Sequence, residues 1–168
     1  MNARTHLTFD QRKALMNHPA GWLALGFGAG LAPWAQGTVG SAVAILPWWL
    51  MRGIGAPAWG LVIVFGFAIG LWACGESGRR LGVADHRALV WDEFIGQWIA
   101  LLPALMAPWW AVLAGFVLFR FFDVLKPWPI RWLDRRVKGG IGVMLDDVVA
   151  GLFAAIVLAL VLHVLPAA

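Results

Sequence analysis

Apolar residues form four long runs along the chain, separated by polar stretches. The runs cover residues 41–51, 58–74, 94–119 and 148–165, and a shorter glycine-rich segment at 20–34 is a candidate for an interfacial or re-entrant segment. A helix that crosses a bilayer needs about 20 apolar residues, so some runs are long enough only when their polar ends are included. The pattern predicts an all-α protein built from membrane helices.

The charged residues are concentrated in three stretches, at 1–18, 76–93 and 120–147. Every Asp and Glu lies in these stretches, as does every Lys and Arg except Arg52. Because a charge in the middle of a bilayer is costly, we expect all three stretches at a water interface. Their excess of Lys and Arg favours the cytoplasmic side.

Placing these stretches on one side requires helical hairpins between them. Residues 41–75 would form one hairpin, turning near 52–57, and residues 89–125 would form a second from helices at 89–106 and 108–125. A last helix would start at about residue 147. The alternative uses 94–119 as a single crossing and places basic residues outside, against the positive-inside rule. We therefore predict a polytopic helical bundle whose polar helix ends and loops cluster on the cytoplasmic side.

The amino-acid composition is also that of a membrane protein. Mean hydropathy is +0.78 and only 13% of residues are charged, so a soluble domain could not hide the apolar surface. We expect one domain over residues 1–168, with 1–18 as a polar cytoplasmic segment that is too charged to be a cleavable signal. The net charge of +4 is not arranged as a basic face with stacking aromatics. This excludes nucleic acid as the expected partner and favours an anionic lipid surface.

Three acidic clusters are the candidates for chemistry. They are Asp85, His86, Asp92 and Glu93; then Asp123 with Arg120 and Lys126; then Asp146 and Asp147. Cys74 is the only cysteine, so a thiolate metal site is excluded. Carboxylates from separate helix ends suit Mg²⁺, which takes oxygen ligands and keeps waters for its substrate. The neighbouring Arg and Lys residues suit a phosphate, so the pattern predicts metal-assisted phosphoryl chemistry at a membrane surface.

Each cluster also has a structural interpretation. Asp146 or Asp147 could cap the last helix, and Asp92 with Glu93 could be interfacial charges beside Trp91. Arg120 and Asp123 could form an exposed ion pair, which would contribute little to stability.

The two remaining motifs concern helix ends. The segment GTVGS at 37–41 could be a phosphate-binding nest, or Thr38 or Ser41 could cap the next helix. Lys126 should lie just past a helix end, because Pro127 and Pro129 cannot continue the helix.

Three segments together resemble the bacterial phosphatidylglycerophosphatase A family. They read GFGAGLAPWAQGTVGS, GVADHRALVWDEFIGQW and GFVLFRFFDVLKPWPIRWLDRRVKGGIGVMLDDVVAG, and they span most of the chain after residue 20. The resemblance implies a Mg²⁺-dependent, multi-pass phosphatase of the bacterial inner membrane with its active site on the cytoplasmic face. It would hydrolyse phosphatidylglycerophosphate to phosphatidylglycerol and inorganic phosphate. The acidic motif positions of the family fall on Asp85, Asp92, Glu93, Asp123, Asp146 and Asp147, and the basic ones on Arg120 and Lys126.

From this we predict roles for individual residues. The predicted metal ligands are Glu93, Asp123, Asp146 and Asp92. The predicted catalytic residues are Asp85, Asp92, Arg120, Lys126 and Asp147, and the predicted substrate-binding residues are Thr38, Ser41, Arg120, Lys126 and Arg131. A metal-activated water would attack phosphorus, with a covalent aspartyl-phosphate as the alternative. The number of metal ions and the oligomeric state stay open.

Two other functions are compatible with a small acidic membrane protein. A CDP-alcohol phosphotransferase also uses acidic Mg²⁺ ligands, but its DGxxAR and GxxxDxxxD pattern is absent here. A small transporter would carry its acids in mid-span, whereas these acids lie at the ends of the predicted spans.

Overall fold

The computed structural model describes residues 7–83, 86–137 and 139–165, and these contain helices and turns but no strand. The α-helices are α1 (Phe9–Met16), α2 (Pro19–Ala24), α3 (Gln36–Met51), α4 (Ala56–Leu81), α5 (Trp91–Ala100), α6 (Trp109–Leu125), α7 (Ile130–Arg136) and α8 (Gly139–Val164). Short 3₁₀ segments lie at Gly26–Leu31, Arg52–Ile54 and Leu102–Ala104. The predicted all-α class is confirmed for the described part of the chain.

The two predicted hairpin turns are found, but one helix is shorter than expected. Helices α3 and α4 are joined at 52–55, as the sequence predicts. Helix α5 ends at Ala100 instead of near residue 106, and a 3₁₀ segment containing Pro103 follows it. Proline lacks a backbone N–H, so the helix ends before it and α6 begins only after Pro108.

The last helix starts earlier than predicted. Helix α8 begins at Gly139, so Asp146 and Asp147 lie inside it and neither one is its N-cap. The capping interpretation is therefore wrong. A Cβ at Gly142 would come 2.0 Å from the carbonyl oxygen of Val137, so the chain folds tightly against the start of α8. A residue with a Cβ would clash with backbone at this position, so glycine permits the close approach.

Helices α4 and α8 are long and apolar enough to cross a membrane. The qualifying segments are Ala56–Leu81 and Ile141–Val164, with hydropathies of 2.0 and 2.4. Large apolar side chains on them are exposed, among them Val64, Phe65, Ile156 and Leu160. An apolar surface of this kind is typical of contact with lipid or with another apolar partner.

Helix α5 lies at the centre of the bundle and packs against α3, α4, α6 and α8. Its Trp91 and Trp98 donate indole hydrogen bonds to the carbonyl oxygens of Gly66 and Ala44, both at 2.9 Å. Helices α5 and α8 approach each other closely at two glycines, since a Cβ on Gly151 would lie 2.4 Å from the carbonyl oxygen of Gly96. Small residues at such crossings let two backbones touch. The crossing holds the first turns of α5 beside the acidic part of α8.

Candidate active site

A polar cavity of about 810 Å³ opens where the charged ends of several helices meet. It is lined by the chain before and at the start of α3, the turn before α5, the start of α5, the end of α6, α7 and the first half of α8. The predicted site residues that line it are Thr38, Asp92, Glu93, Arg120, Asp123, Lys126, Asp146 and Asp147. Tertiary packing thus brings together residues from all three acidic clusters.

Three carboxylates in this cavity form an acidic triad, made of Glu93 on α5, Asp123 on α6 and Asp147 on α8. One oxygen from each lies within 4.8 Å of the others, a spacing at which one cation can contact all three. Asp147 is only 4% exposed, and burying a carboxylate without a cation is costly. Oxygen ligands without Cys or His suit a hard ion such as Mg²⁺, so the donor set fits the metal that the sequence predicts.

Arg120 partly balances the negative charge of the triad. One of its guanidinium nitrogens, Nη1, forms ion pairs with the Glu93 carboxylate and, at 2.9 Å, with Oδ2 of Asp123. The same nitrogen donates to Oγ of Ser41 at 3.3 Å. These groups are mostly buried, so the pairs are screened less than ion pairs at a surface. The interpretation of Arg120 and Asp123 as an exposed pair is therefore wrong.

The first turn of α3 packs directly on this ion pair. A Cβ at Gly37 would come 2.0 Å from Oε1 of Glu93, so a larger residue there would displace the Glu93 carboxylate from its present position. Gly37 was not predicted individually as a site residue, although it is the first residue of the GTVGS segment. Helix α3 begins at Gln36 with Ala35 as its N-cap, so neither Thr38 nor Ser41 caps it.

Ser41 is buried and turned towards Glu93. Its Oγ lies 2.9 Å from the carbonyl oxygen of Gly37 and 3.1 Å from Oε2 of Glu93, and either oxygen can accept its proton. Ser41 does not line the cavity, whereas Thr38 does. These contacts indicate that Ser41 positions the Glu93 side chain.

Lys126 is held at the end of α6 by two carboxylates. It is the C-cap of α6, so the helix ends before Pro127 as predicted, and its backbone is left-handed at φ +43°, which is uncommon for a residue other than glycine. Its Nζ donates to Oδ2 of Asp146 at 2.5 Å and to Oδ1 of Asp134 at 2.9 Å. Burial opposes the charged amine, but the hydrogen bonds and charges of these two acids raise the pKa of Lys126 above its ordinary value. Lys126 therefore stays protonated.

Asp146 and Asp147 point to different partners. Adjacent side chains on a helix diverge by about 100°, so Asp147 joins the triad while Asp146 faces Lys126. The second oxygen of Asp146, Oδ1, is buried and has no hydrogen-bond partner among the described residues. The metal role that the sequence predicts for Asp146 stays a prediction, and the geometry adds Asp147 as a candidate ligand.

The remaining site residues that the sequence predicts differ in where they lie relative to the cavity. Asp92 lines the cavity, and its Oδ1 accepts the backbone N–H of Glu93 at 3.0 Å. Arg131 lies outside the cavity lining and donates to the carbonyl oxygen of Leu125 at 3.2 Å. Asp85 lies outside the described residues. Two charged cavity residues, Arg87 and Asp134, were not among the predicted site residues.

The chain is similar to known proteins over most of its length. Residues 22–162 match the family Phosphatidylglycerophosphatase A, a range that contains every residue lining the cavity. The chain is 45% identical over 158 residues to phosphatidylglycerophosphatase A of Escherichia coli (strain K12), covering 94% of this chain and 92% of that protein. It is 42% identical over 147 residues to the protein of the same name from Haemophilus influenzae, covering 87% and 90%.

No solved structure matches the chain. The sequence match is nevertheless extensive, and it includes the helix ends that carry the acidic triad, Arg120 and Lys126. The chain is an enzyme that belongs to the phosphatidylglycerophosphatase A family.

Proposed function

We propose that the enzyme hydrolyses the terminal phosphate monoester of phosphatidylglycerophosphate, releasing phosphatidylglycerol and inorganic phosphate. The observation that carries this is the convergence of the acidic triad with Arg120 and Lys126 in one cavity of a chain from this family. Acids that bind a cation and basic groups that bind phosphate oxygens are the two requirements of metal-assisted phosphate hydrolysis.

The proposed cofactor is Mg²⁺, held by Glu93, Asp123 and Asp147 with Asp146 and Asp92 close by in the same cavity. When bound there, it would neutralise phosphate charge and lower the pKa of a coordinated water. Lys126 stays charged, and its hydrogen bonds to Asp134 and Asp146 hold its ammonium group in place. It is therefore already positioned to donate to a non-bridging phosphate oxygen. Arg120 supplies a second fixed positive charge beside the triad.

Asp92 is our candidate for accepting the proton of the attacking water. The water oxygen forms the new bond to phosphorus, the bond to the glycerol oxygen breaks, and a proton passes to that leaving oxygen. A covalent aspartyl-phosphate would require as nucleophile one of the cavity acids that are already assigned to the metal, to Lys126 or to proton transfer. We therefore favour direct attack by water.

We place this reaction at the cytoplasmic surface of the bacterial inner membrane. Support comes from the apolar helices α4 and α8 and from the basic excess of the polar stretches. Trp34, which lines the cavity, and Trp128, near Lys126 in sequence, are 76% and 80% exposed. Exposed Trp residues are enriched at membrane interfaces, where a lipid headgroup would meet the cavity.

Metal removal tests the proposed function. In detergent micelles, the purified enzyme should release phosphate from phosphatidylglycerophosphate, lose this activity with EDTA and regain it with Mg²⁺, because the triad would otherwise repel the phosphate. Phosphate release is measured colorimetrically. Undiminished activity in EDTA would exclude the metal-assisted mechanism, and no release under any of these conditions would exclude the substrate.

Ser41→Ala should lower kcat by about 5-fold, because it removes a hydrogen bond that positions Glu93. The matched control is Ser77→Ala, since Ser77 is also buried but its Oγ has no hydrogen-bond partner among the described residues. The control should keep full activity. Equal kcat values for the two variants would show that Ser41 does not position Glu93.

A further inference from the structure

Arg87 is a cation of the cavity that the mechanism does not use. It precedes α5 by a few residues, and its side chain is exposed while it lines the cavity, which places it at the rim. The other two cations of the lining, Arg120 and Lys126, are engaged by carboxylates. Arg87 forms no ion pair with any residue in the described ranges, so its guanidinium offers positive charge that these residues do not balance.

The backbone that carries Arg87 is firmly held. Its neighbours His86 and Ala88 are buried, and the Ala88 N–H donates to Nδ1 of His86 at 3.1 Å. Two further backbone bonds fix the turn, from Leu89 to the carbonyl of His86 at 2.8 Å and from Val90 to that of Ala24 at 2.7 Å. Because the backbone at Arg87 is fixed in this way, a ligand has to order only the Arg87 side chain and not the turn that carries it, which limits the entropic cost of binding.

We propose that Arg87 is a subsite for the phosphodiester of the lipid headgroup. The inference rests on the proposed function, whose substrate carries two phosphates separated by one glycerol unit. If the terminal monoester lies at the acidic triad, the diester must lie farther out, nearer the acyl chains and the cavity rim. A guanidinium can bind two oxygens of one phosphate through parallel N–H donors. Arg87 would thus select lipids that carry a second phosphate.

Each product of the reaction keeps one of the two phosphates, so inhibition by each product tests one phosphate position at a time. Phosphatidylglycerol keeps only the diester, and inorganic phosphate resembles only the released monoester. Removing the Arg87 charge should therefore weaken the binding of substrate and of phosphatidylglycerol while leaving inhibition by inorganic phosphate unchanged.

The test compares Arg87→Gln with the wild type and with Arg135→Gln in detergent micelles. Arg135 is an exposed cation of α7 outside the cavity lining, so it controls for general attraction of anionic lipid to a basic surface. In Arg87→Gln we expect the KM for phosphatidylglycerophosphate and the inhibition constant of phosphatidylglycerol to rise about 10-fold, as for one lost charge-assisted contact. The kcat and the inhibition constant of inorganic phosphate should not change.

Three results would overturn the subsite. They are an unchanged KM in Arg87→Gln, an equal KM increase in Arg135→Gln, or an equal weakening of inhibition by inorganic phosphate. A thermal unfolding midpoint equal to that of the wild type excludes misfolding of the variant. If the wild type releases no phosphate from phosphatidylglycerophosphate, the proposed function fails. In that case, direct binding of phosphatidylglycerol micelles to wild type and Arg87→Gln still decides whether Arg87 binds a phosphodiester.

Discussion

Asp123→Asn is expected to lower the kcat for phosphate release by at least about 100-fold, the effect of losing one electrostatic group of a catalytic site. Asp123 belongs to the acidic triad and also pairs with Arg120 at 2.9 Å. The amide removes one negative charge from the proposed metal site and keeps the size of the side chain. Arg120 retains Glu93 as a partner, so we expect the helical fold to persist.

Mg²⁺ binding gives a second measurement for the same variant. Titration calorimetry with Mg²⁺ alone should show weaker binding to Asp123→Asn, and Glu93→Gln should behave in the same way. Asp10→Asn is the matched control, because Asp10 is an exposed acid of α1 away from the cavity. Near-normal turnover in both Asp123→Asn and Glu93→Gln would exclude the proposed metal site.

Gly151→Ala is expected to cost about 1–3 kcal/mol of the free energy of unfolding, as overpacked cores do, and to reduce activity. The new Cβ would lie 2.4 Å from the carbonyl oxygen of Gly96, and backbone cannot move aside as a flexible side chain can. Helices α5 and α8 must therefore separate. Glu93 and Asp147 each lie about one turn from this contact, so the separation would also widen the acidic triad.

Gly75→Ala is the matched control for this experiment. Gly75 lies within α4, and a Cβ there would have no neighbour within 4 Å in the part of the chain that the structure describes. Alanine is favoured over glycine in a helix by up to about 1 kcal/mol, so the control should unfold at the same or a higher temperature with normal activity. Equal thermal midpoints and activities for Gly151→Ala and Gly75→Ala would show that the close crossing does not hold the site together.

Most of the helical organisation could be predicted because it depends on local chemistry. Long apolar runs identify α4 and α8, and Pro108 identifies the start of α6 after the turn. The length of α5 and the start of α8 could not be predicted in this way. At the start of α8 the chain passes so close to Gly142 that a Cβ there would meet the carbonyl oxygen of Val137, and a window of hydropathy does not detect such packing.

The candidate site, like the fold, could be predicted only in part from the sequence. The cost of placing charge in an apolar environment makes the few acidic and basic residues of the chain identifiable from the sequence alone. Glu93 and Asp123 lie near helix ends as predicted, whereas Asp146 and Asp147 lie inside α8. The partner of each residue depends on how the helices cross. Ser41 lies beside Glu93, and Asp134 beside Lys126, because α3 packs on α5 and α7 on α8.

The sequence by itself determined the helical class, the family and the charged residues at the ends of apolar helices. Only the tertiary structure decided that Asp147 joins Glu93 and Asp123 while Asp146 pairs with Lys126. The reason is geometric: neighbouring side chains on a helix point about 100° apart, and the glycine contact between α5 and α8 determines which of them faces the cavity centre.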